Sequence, residues 1–180
     1  MNQDYWGIDD ILVESQQIPC VFNIDVPGLG YLEGSEEEDI HKHTRLELPY
    51  WMAQMLAVYD IITIQQPKPY GARVRSALNA SASSVRLRDL VPYWYAMALR
   101  LSQLLDSEEM KHWLAKTYMG RLPRIYELSV LLGRTTTHSD ALTAGHMQEA
   151  GGLTMEMQEF LQGLDENETA CTLVPIHKKC

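Results

Sequence analysis

The chain has 180 residues, of which 46% are hydrophobic and 22% are charged, and its formal net charge is -9 at pH 7. This composition is typical of a globular protein and excludes a largely disordered one, and no apolar run is long enough to predict a membrane-spanning helix. Residues 1–6 lack the basic and apolar regions of a secretory signal, and the three cysteines are widely spaced. We therefore expect an intracellular protein without a disulfide framework.

The charge is unevenly distributed along the chain. Residues 1–48 carry 11 acidic and 2 basic side chains, whereas residues 61–134 carry 5 acidic and 11 basic ones. Residues 135–180 are acidic again. The basic middle could face nucleic acid, an acidic partner protein or the acidic ends of the chain itself. Because the protein is acidic overall, we favour the two interpretations in which it faces protein.

Residues 1–47 are predicted to form a small β-rich domain with one short helix. The helix is expected over residues 7–13, where Asp9 and Asp10 suit a helix N-terminus, and residues 18–24 form a β-favouring run followed by proline and glycine turns. Such a small domain buries too little apolar surface to be stable alone, so we expect it to lean on another surface.

Residues 48–164 are predicted to form a helical domain, so the expected fold class is mainly α, a helical bundle preceded by a small β-rich domain. Residues 49–59 are predicted to be a helix that places four residues on one face: Met52, Met55, Leu56 and Tyr59. A short β-favouring run over residues 61–64 interrupts the helical part, and residues 70–80 are predicted to form the next helix.

The clearest helical periodicity lies in the middle of the chain. The apolar stripe consists of Trp94, Met97, Ala98, Leu101, Leu104 and Leu105. The following helix contains Pro123, which is expected to kink or divide it, and Gly133 is expected to end it. A last helix is predicted from about residue 139 to residue 164, and residues 165–180 are expected to form a flexible tail.

The sequence contains no pattern that predicts a catalytic, cofactor or metal site. It has no phosphate-binding glycine loop, no zinc-protease helix and no nucleophile elbow. His41 and His43 lie two residues apart, but no second pair of ligands completes a metal site. Cys20 lies in an apolar run and is expected to be a buried hydrophobe, and acidic residues such as Asp165 are expected on solvated faces. We therefore expect neither an enzyme nor a cofactor, the alternative being a site that uses Cys20 and a distant histidine.

The large apolar residues and the arginines exceed what one buried stripe needs. A second face rich in aromatic residues favours contact with a partner protein, although one thick core is the alternative. Arginine suits interface ion pairs and phosphate recognition alike, and we favour pairing between subunits over contact with a nucleic-acid backbone. The candidate interface residues are Leu48, Trp51, Arg75, Tyr95, Arg121, Arg124 and Tyr126.

An ordered set of short motifs resembles one known family. The set includes Ile8-Asp9-Asp10-Ile11-Leu12, Leu46-Glu47-Leu48-Pro49-Tyr50-Trp51-Met52, Pro67-Lys68-x-Tyr70 and Gly120-Arg121-x-x-Arg124-Ile125. In this order the motifs resemble the Psf-three type of subunit of the eukaryotic GINS complex. The resemblance covers about residues 8–130, and it is weak after about residue 134.

The resemblance implies a subunit in which a small β-rich domain comes first and a helical domain second. It implies a nuclear protein without catalytic activity, which forms a heterotetramer with three other GINS subunits. Through that complex it implies contact with the MCM ring and one further factor of the replicative helicase, for initiation and elongation of DNA replication. No membrane partner is implied, and direct contact with nucleic acid is left open. The alternative is an unrelated helical adaptor or scaffold protein that shares these motifs.

Overall fold

The computed structural model describes residues 7–32, 34, 38–139 and 154–173, with the backbone alone for residues 133–139 and 173. The chain divides into two compact units. The first comprises Met1–Ala72 with Arg100–Asp106, and the second comprises Arg73–Leu99 with Ser107–Cys180. Helices dominate the described residues, and a three-stranded antiparallel sheet lies near the N-terminus, which confirms the predicted fold class.

The sheet forms the centre of the first unit. Its strands are β1 (Gln17–Phe22), β2 (Arg45–Pro49) and β3 (Ile62–Ile64), and β1 lies between the other two. Alternate residues of β1 are buried, as the two-residue period of a strand requires: Ile18, Cys20 and Phe22. Residues at this spacing lie on the same side of a strand, so these side chains contribute to one apolar core on a single face of the sheet.

Among the described residues, two α-helices lie wholly within the first unit, and both were predicted. The first, α1, spans Ile8–Glu14, and the second, α2, spans Tyr50–Val58. Helix α2 buries Tyr50 and Ala53, which are one turn apart. The four residues predicted to share one face of α2 divide by exposure: Met52 and Leu56 are half-buried, whereas Met55 and Tyr59 are exposed.

Strand β2 spans residue 47, at which the sequence predicts a domain boundary. The structure differs there because Leu46 and Leu48 alternate with the polar residues before and between them, which is the period of a strand. Pro49 ends the strand in an extended conformation and serves as the N-cap of α2. The first compact unit therefore continues through β3 to Ala72.

The remaining helices are α3 (Ala72–Ala80), α4 (Leu87–Leu90), α5 (Trp94–Leu104), α6 (Glu108–Ser139), α7 (Met155–Gln162) and α8 (Glu166–Leu173). The predicted stripe of α5 is confirmed for its first two turns, since its buried members are Trp94, Met97, Ala98 and Leu101. In the second unit, Ile125 and Leu128 of α6 pack against Phe160 and Leu164. This cluster fixes α6 and α7 to each other.

Helix α6 is a single helix of 32 residues, so the predicted stop at Gly133 is wrong. One glycine weakens a helix by about 1 kcal/mol, which does not end it unless the backbone turns left-handed there. Pro123 lies inside α6 on its exposed side. Residues 140–153, which the prediction assigned to the last helix, lie outside the described residues, and α7 occupies part of the predicted range that follows.

Helix α8 stands where the sequence predicts a flexible tail. The expectation of a solvated face is wrong for Asp165, which is buried together with Glu168 and Thr172. An acid-rich segment is normally solvated because burial of a charge is costly unless partners compensate for it. The partners of Asp165 and Glu168 lie inside the second unit, and they explain why this segment is ordered.

Candidate interaction surfaces

A buried ion pair lies at the centre of the second unit. The Nε and Nη2 atoms of Arg121 donate to Oε1 and Oε2 of Glu168 at 2.6 and 3.0 Å, and both side chains are fully buried. The Nη1 atom of Arg121 donates to the carbonyl oxygens of Ala82 and Val85 at 2.6 and 2.8 Å. The guanidinium group also lies over the ring of Phe160, 4.9 Å from its centroid. A buried pair holds only when further hydrogen bonds satisfy its remaining groups, and these contacts meet that requirement.

The start of α8 extends this network. The Oε2 atom of Glu168 accepts from the backbone N–H of Asp165 at 3.2 Å, as the third helical residue does in a capping box. The Oδ1 atom of Asp165 accepts from the backbone N–H of Trp94, the first residue of α5, at 2.6 Å. Burial raises the pKa of Asp165, and the bond from Trp94 opposes that rise. The spacing of Asp165 and Glu168, an N-cap residue followed three positions later by a glutamate, was thus a signal for α8 that the sequence prediction missed.

Tyr95 joins the same network. Its hydroxyl group donates to Oε1 of Glu168 at 3.0 Å. Burial raises the pKa of Tyr95, and the negative charge of Glu168 raises it further. A tyrosine hydroxyl that stays protonated and donates to a carboxylate serves as a fixed structural donor. The three-way contact of Tyr95, Arg121 and Glu168 therefore accounts for these groups without any bound ligand.

Two of the candidate interface residues are enclosed by the chain itself. Arg121 has none of its surface exposed and Leu48 only 2%. An enclosed side chain presents no atoms to another protein, so the burial of these two side chains favours a role in packing within their own units. The sequence suggested an interface because arginine is rarely buried without a partner, and Glu168 lies 47 residues away from Arg121.

The other candidates are at least partly exposed. Arg75 donates to Glu109 at 3.1 Å and lies over the ring of Trp113, and Arg124 donates to Glu127 at 3.0 Å. Their charges are thus engaged within the second unit. An interface role for the exposed and half-buried candidates stays a prediction: Trp51, Arg75, Tyr95, Arg124 and Tyr126. Trp51 belongs to the first unit and the others to the second.

One apolar surface lies on α6. Met119 and Tyr126 are 66% and 63% exposed, and the exposed Pro123 lies between them. The spacing of four and then three residues places the three side chains in one row along the helix. We call this row, Met119, Pro123 and Tyr126, the α6 face.

A second apolar surface lies on α2. Trp51, Met55 and Val58 follow one side of the helix at spacings of four and three, and Tyr59 comes directly after its end. All four side chains are about half exposed or more. We call this row, Trp51, Met55, Val58 and Tyr59, the α2 face. The sequence prediction named Trp51 but missed the other three as surface residues, because exposure of an apolar side chain leaves no mark in the sequence.

Groups suited to chemistry are few in the described part of the chain. Among the described residues, no cluster of three or more histidine, cysteine or acidic side chains is arranged to hold a metal. Cys20 is buried, as predicted, and burial raises the pKa of its thiol to about 11, which disfavours the nucleophilic thiolate. The Nδ1 atom of His41 lies 3.8 Å from the Oδ1 atom of Asp25. None of the helices described here is long and apolar enough to cross a membrane.

These features define a class of protein, namely a mainly helical one whose notable surfaces are apolar helix faces. Residues 6–58 match the family described as the PSF3 N-terminal domain. Three relatives have similar sequences along most of their length. The chain is 35% identical to the DNA replication complex GINS protein psf3 of Aspergillus fumigatus over 170 residues, which are 91% of this chain and 85% of the relative. It is 32% identical to the protein of that name from Phaeosphaeria nodorum, with the same coverage.

The protein with the same name from Schizosaccharomyces pombe is 30% identical, over 92% of this chain and 86% of the relative. Identity at this level over so much of both chains shows common ancestry. The chain belongs to the PSF3 family of DNA replication complex GINS proteins. The predicted resemblance is confirmed, and the alternative of an unrelated adaptor that only shares the motifs is excluded.

Proposed function

We propose that the chain is a non-catalytic structural subunit of a four-protein GINS complex, which it forms with three other GINS subunits. In this proposal the complex joins the MCM ring and one further factor in the replicative helicase, acts in the nucleus, and serves initiation and elongation of DNA replication. The names of the relatives support the assignment to DNA replication and to a GINS complex. The chain itself needs no cofactor in this role.

The α6 face is the observation that carries the assembly role. Helix α6 has 32 residues, which corresponds to a length of about 48 Å. Its inner side is already occupied by Ile125, Leu128 and the buried Arg121, so the row of Met119, Pro123 and Tyr126 serves no packing need within the unit. A row with spacings of four and three residues suits packing against a helix of another subunit.

Several charged side chains of the second unit already have structural partners, which supports a role without catalysis. Arg121 and Glu168 satisfy each other, Arg75 is paired with Glu109, and Asp165 accepts from a backbone N–H. A general acid or base needs a free position near a reacting group, and these side chains are committed to structural partners. The role proposed is therefore contact and support.

Co-expression tests the proposal. The chain is expressed alone and together with the three other GINS subunits, and the products are compared by size-exclusion chromatography with mass determination. We expect self-association of the lone chain and a stoichiometric 1:1:1:1 complex in the co-expression. A soluble lone monomer that ignores the other three subunits would contradict the proposal.

Matched variants test the α6 face. Tyr126→Glu places a charge in the proposed contact, and we expect its incorporation into the complex to fall by about tenfold or more relative to wild type. Met155→Glu is the control, because Met155 is also an exposed apolar residue of the second unit but lies on α7. Incorporation is measured by co-expressing a tagged variant with untagged wild type and determining their ratio in the purified complex. Equal incorporation of Tyr126→Glu and wild type would exclude the α6 face from assembly.

A further inference from the structure

The apolar side chains of the α2 face are not needed for packing within the described part of the first unit. Helix α2 buries Tyr50 and Ala53 on the side that faces the core. The opposite side carries the α2 face, and α2 contains no charged residue. Monomeric proteins seldom leave a contiguous apolar helix face in water, because its burial against a partner releases about 25 cal/mol for every Å² removed from water.

The neighbouring helix α1 also has exposed apolar residues. Helix α1 packs against α2, and three of its seven residues are large, apolar and exposed: Ile8, Ile11 and Leu12. They follow the spacing of three and four residues that places side chains on one side of a helix. Two adjacent helices of the same unit therefore both have an apolar outer side.

The surroundings of the α2 face are acidic. Helix α1 contains Asp9, Asp10 and Glu14 and no basic residue, and Asp60 follows directly after Tyr59. The described residues of the first unit include nine acidic and only four basic side chains. One of the four basic residues, Arg100, pairs with Asp10 and Glu14 and offsets part of their negative charge. The net field of the described first unit is therefore negative, with five more acidic than basic side chains.

The negative charge of the first unit distinguishes between two possible occupants of the α2 face, a second copy of the chain and a positively charged partner. A second copy of the chain would bring the same acidic surroundings to the contact, and like charges across an interface oppose association. A positively charged partner is attracted by the same field, and its apolar side chains cover the uncharged row of Trp51, Met55, Val58 and Tyr59. The combination of an apolar row and a net negative charge of the same unit thus favours an apolar segment with basic residues beside it.

We propose that the α2 face is the docking surface for a segment of a neighbouring GINS subunit, one that has apolar anchor residues flanked by lysine or arginine. This inference rests on the proposed function, since it takes its partner from the same complex. It adds a second contact surface, in the first unit, to the α6 face of the second unit. The two surfaces are separable by mutation because they share no residue.

Competition for incorporation tests the proposal with closely matched variants. Tyr59→Glu changes an exposed tyrosine of the α2 face, and Tyr31→Glu changes a tyrosine of the same unit that is almost equally exposed, at 70% against 73%. Each tagged variant is co-expressed with untagged wild-type chain and the three other GINS subunits. We expect Tyr59→Glu and Met55→Glu to be incorporated about tenfold less than wild type, and Tyr31→Glu to be incorporated equally. Circular dichroism of each variant is expected to match wild type, because the substituted side chains are exposed.

The outcomes separate the inference from the proposed function. If wild-type chain forms no complex, the proposed function fails. If wild type assembles and Tyr59→Glu is incorporated as well as Tyr31→Glu, the docking surface is wrong while the function stands. If Tyr59→Glu instead abolishes a homodimer of the lone chain without affecting incorporation, the occupant is a second copy and the proposal is overturned.

Cross-linking identifies the occupant. A photoreactive benzoylphenylalanine at position 59 of the assembled complex is irradiated, and the linked peptide is identified by mass spectrometry. We expect a peptide of another GINS subunit with lysine or arginine beside apolar residues. We also expect Asp60→Lys to weaken incorporation at low ionic strength more than at high ionic strength, as screening of charges requires. A linked segment without basic residues, or a salt-independent effect, would refute the charge argument.

Discussion

The centres of the two compact units are stabilised in different ways. The core of the first unit is mainly apolar, with Ile18, Phe22 and Leu48 packed on one face of a sheet. The second unit has an apolar cluster too, but its centre also holds the fully buried charges of Arg121 and Glu168. An apolar core loses stability in small steps when side chains are trimmed, whereas a buried ion pair loses most of its benefit when either partner is removed.

The difference also explains which contacts can be predicted from the sequence and which cannot. The apolar core depends on residues whose periodicity is visible over six or seven positions. The ion pair depends on two residues 47 positions apart that each, taken alone, resemble a surface residue. The second unit is therefore held by a contact that no local pattern reveals.

The largest expected effect breaks the ion pair. Arg121→Ala leaves the charge of Glu168 buried without its partner and removes the donors to Ala82 and Val85, so we expect the free energy of unfolding to fall by about 3–5 kcal/mol. Urea unfolding at low protein concentration, followed by tryptophan fluorescence, measures it. The control is Arg124→Ala, one turn further along α6, whose exposed pair with Glu127 should cost at most about 1 kcal/mol. Similar losses for both arginines would contradict the distinction between the two units.

A double substitution sharpens the same point. Replacing Arg121 by Met and Glu168 by Leu removes both charges together and fills the space with apolar atoms. We expect the double variant to be more stable than either single variant, because neither charge is left unpaired. The comparison is made by the same urea unfolding measurement. A double variant as unstable as the sum of the two single losses would show that the hydrogen bonds to Ala82 and Val85 matter more than the charges.

A smaller effect is expected in the apolar core of the first unit. Ile18→Val deletes one methylene group from a fully buried side chain of β1, and we expect a loss of about 0.5–1.5 kcal/mol in the free energy of unfolding. Thermal unfolding monitored by circular dichroism measures the change. Ile11→Val, on the exposed side of α1, is the control and should have almost no effect. A loss above that of Arg121→Ala would reverse the comparison of the two units.

The smallest effect concerns pH. Burial holds the pKa of Asp165 above its ordinary value of 3.8, so between that value and the raised one the folded protein binds the proton more tightly than the unfolded chain does. The contribution of Asp165 to stability therefore increases as the pH falls through the raised pKa and declines as the pH rises through it. Asp165→Asn should remove this contribution while its carbonyl oxygen still accepts from Trp94. Unfolding free energies of both proteins, measured as the pH rises from 3.8, should differ in slope, and parallel curves would contradict the burial argument.

The sequence predicted those elements whose pattern is local. Helices α1 and α2, strand β1 and the first turns of α5 follow from apolar periodicity and from turn residues, and all four are present. Strand β2 was missed because its alternation covers only five residues and adjoins a helix. The continuation of α6 beyond Gly133 was missed because the helix-breaking tendency of one glycine is weaker than the helix that surrounds it.

The surfaces were less predictable than the fold. Leu48 and Arg121 were expected at an interface, but burial depends on which distant residues fold over a side chain. Arg121 and Arg124 lie three residues apart and look equivalent in the sequence, yet one is enclosed and the other partly exposed. Met55, Val58 and Tyr59 look like core residues in the sequence because an apolar side chain has the same chemistry on either side of a helix.

The position of Glu168 near the end of the described chain has a consequence for biosynthesis. During translation, Arg121 leaves the ribosome 47 residues before the carboxylate that neutralises it. Until α8 follows, the guanidinium group has no internal counter-charge, and the second unit cannot close around it. Folding of that unit is therefore tied to the synthesis of α8. A chain that lacks α8 leaves the guanidinium group of Arg121 without this partner, so we expect it to be degraded more readily than a chain that contains α8.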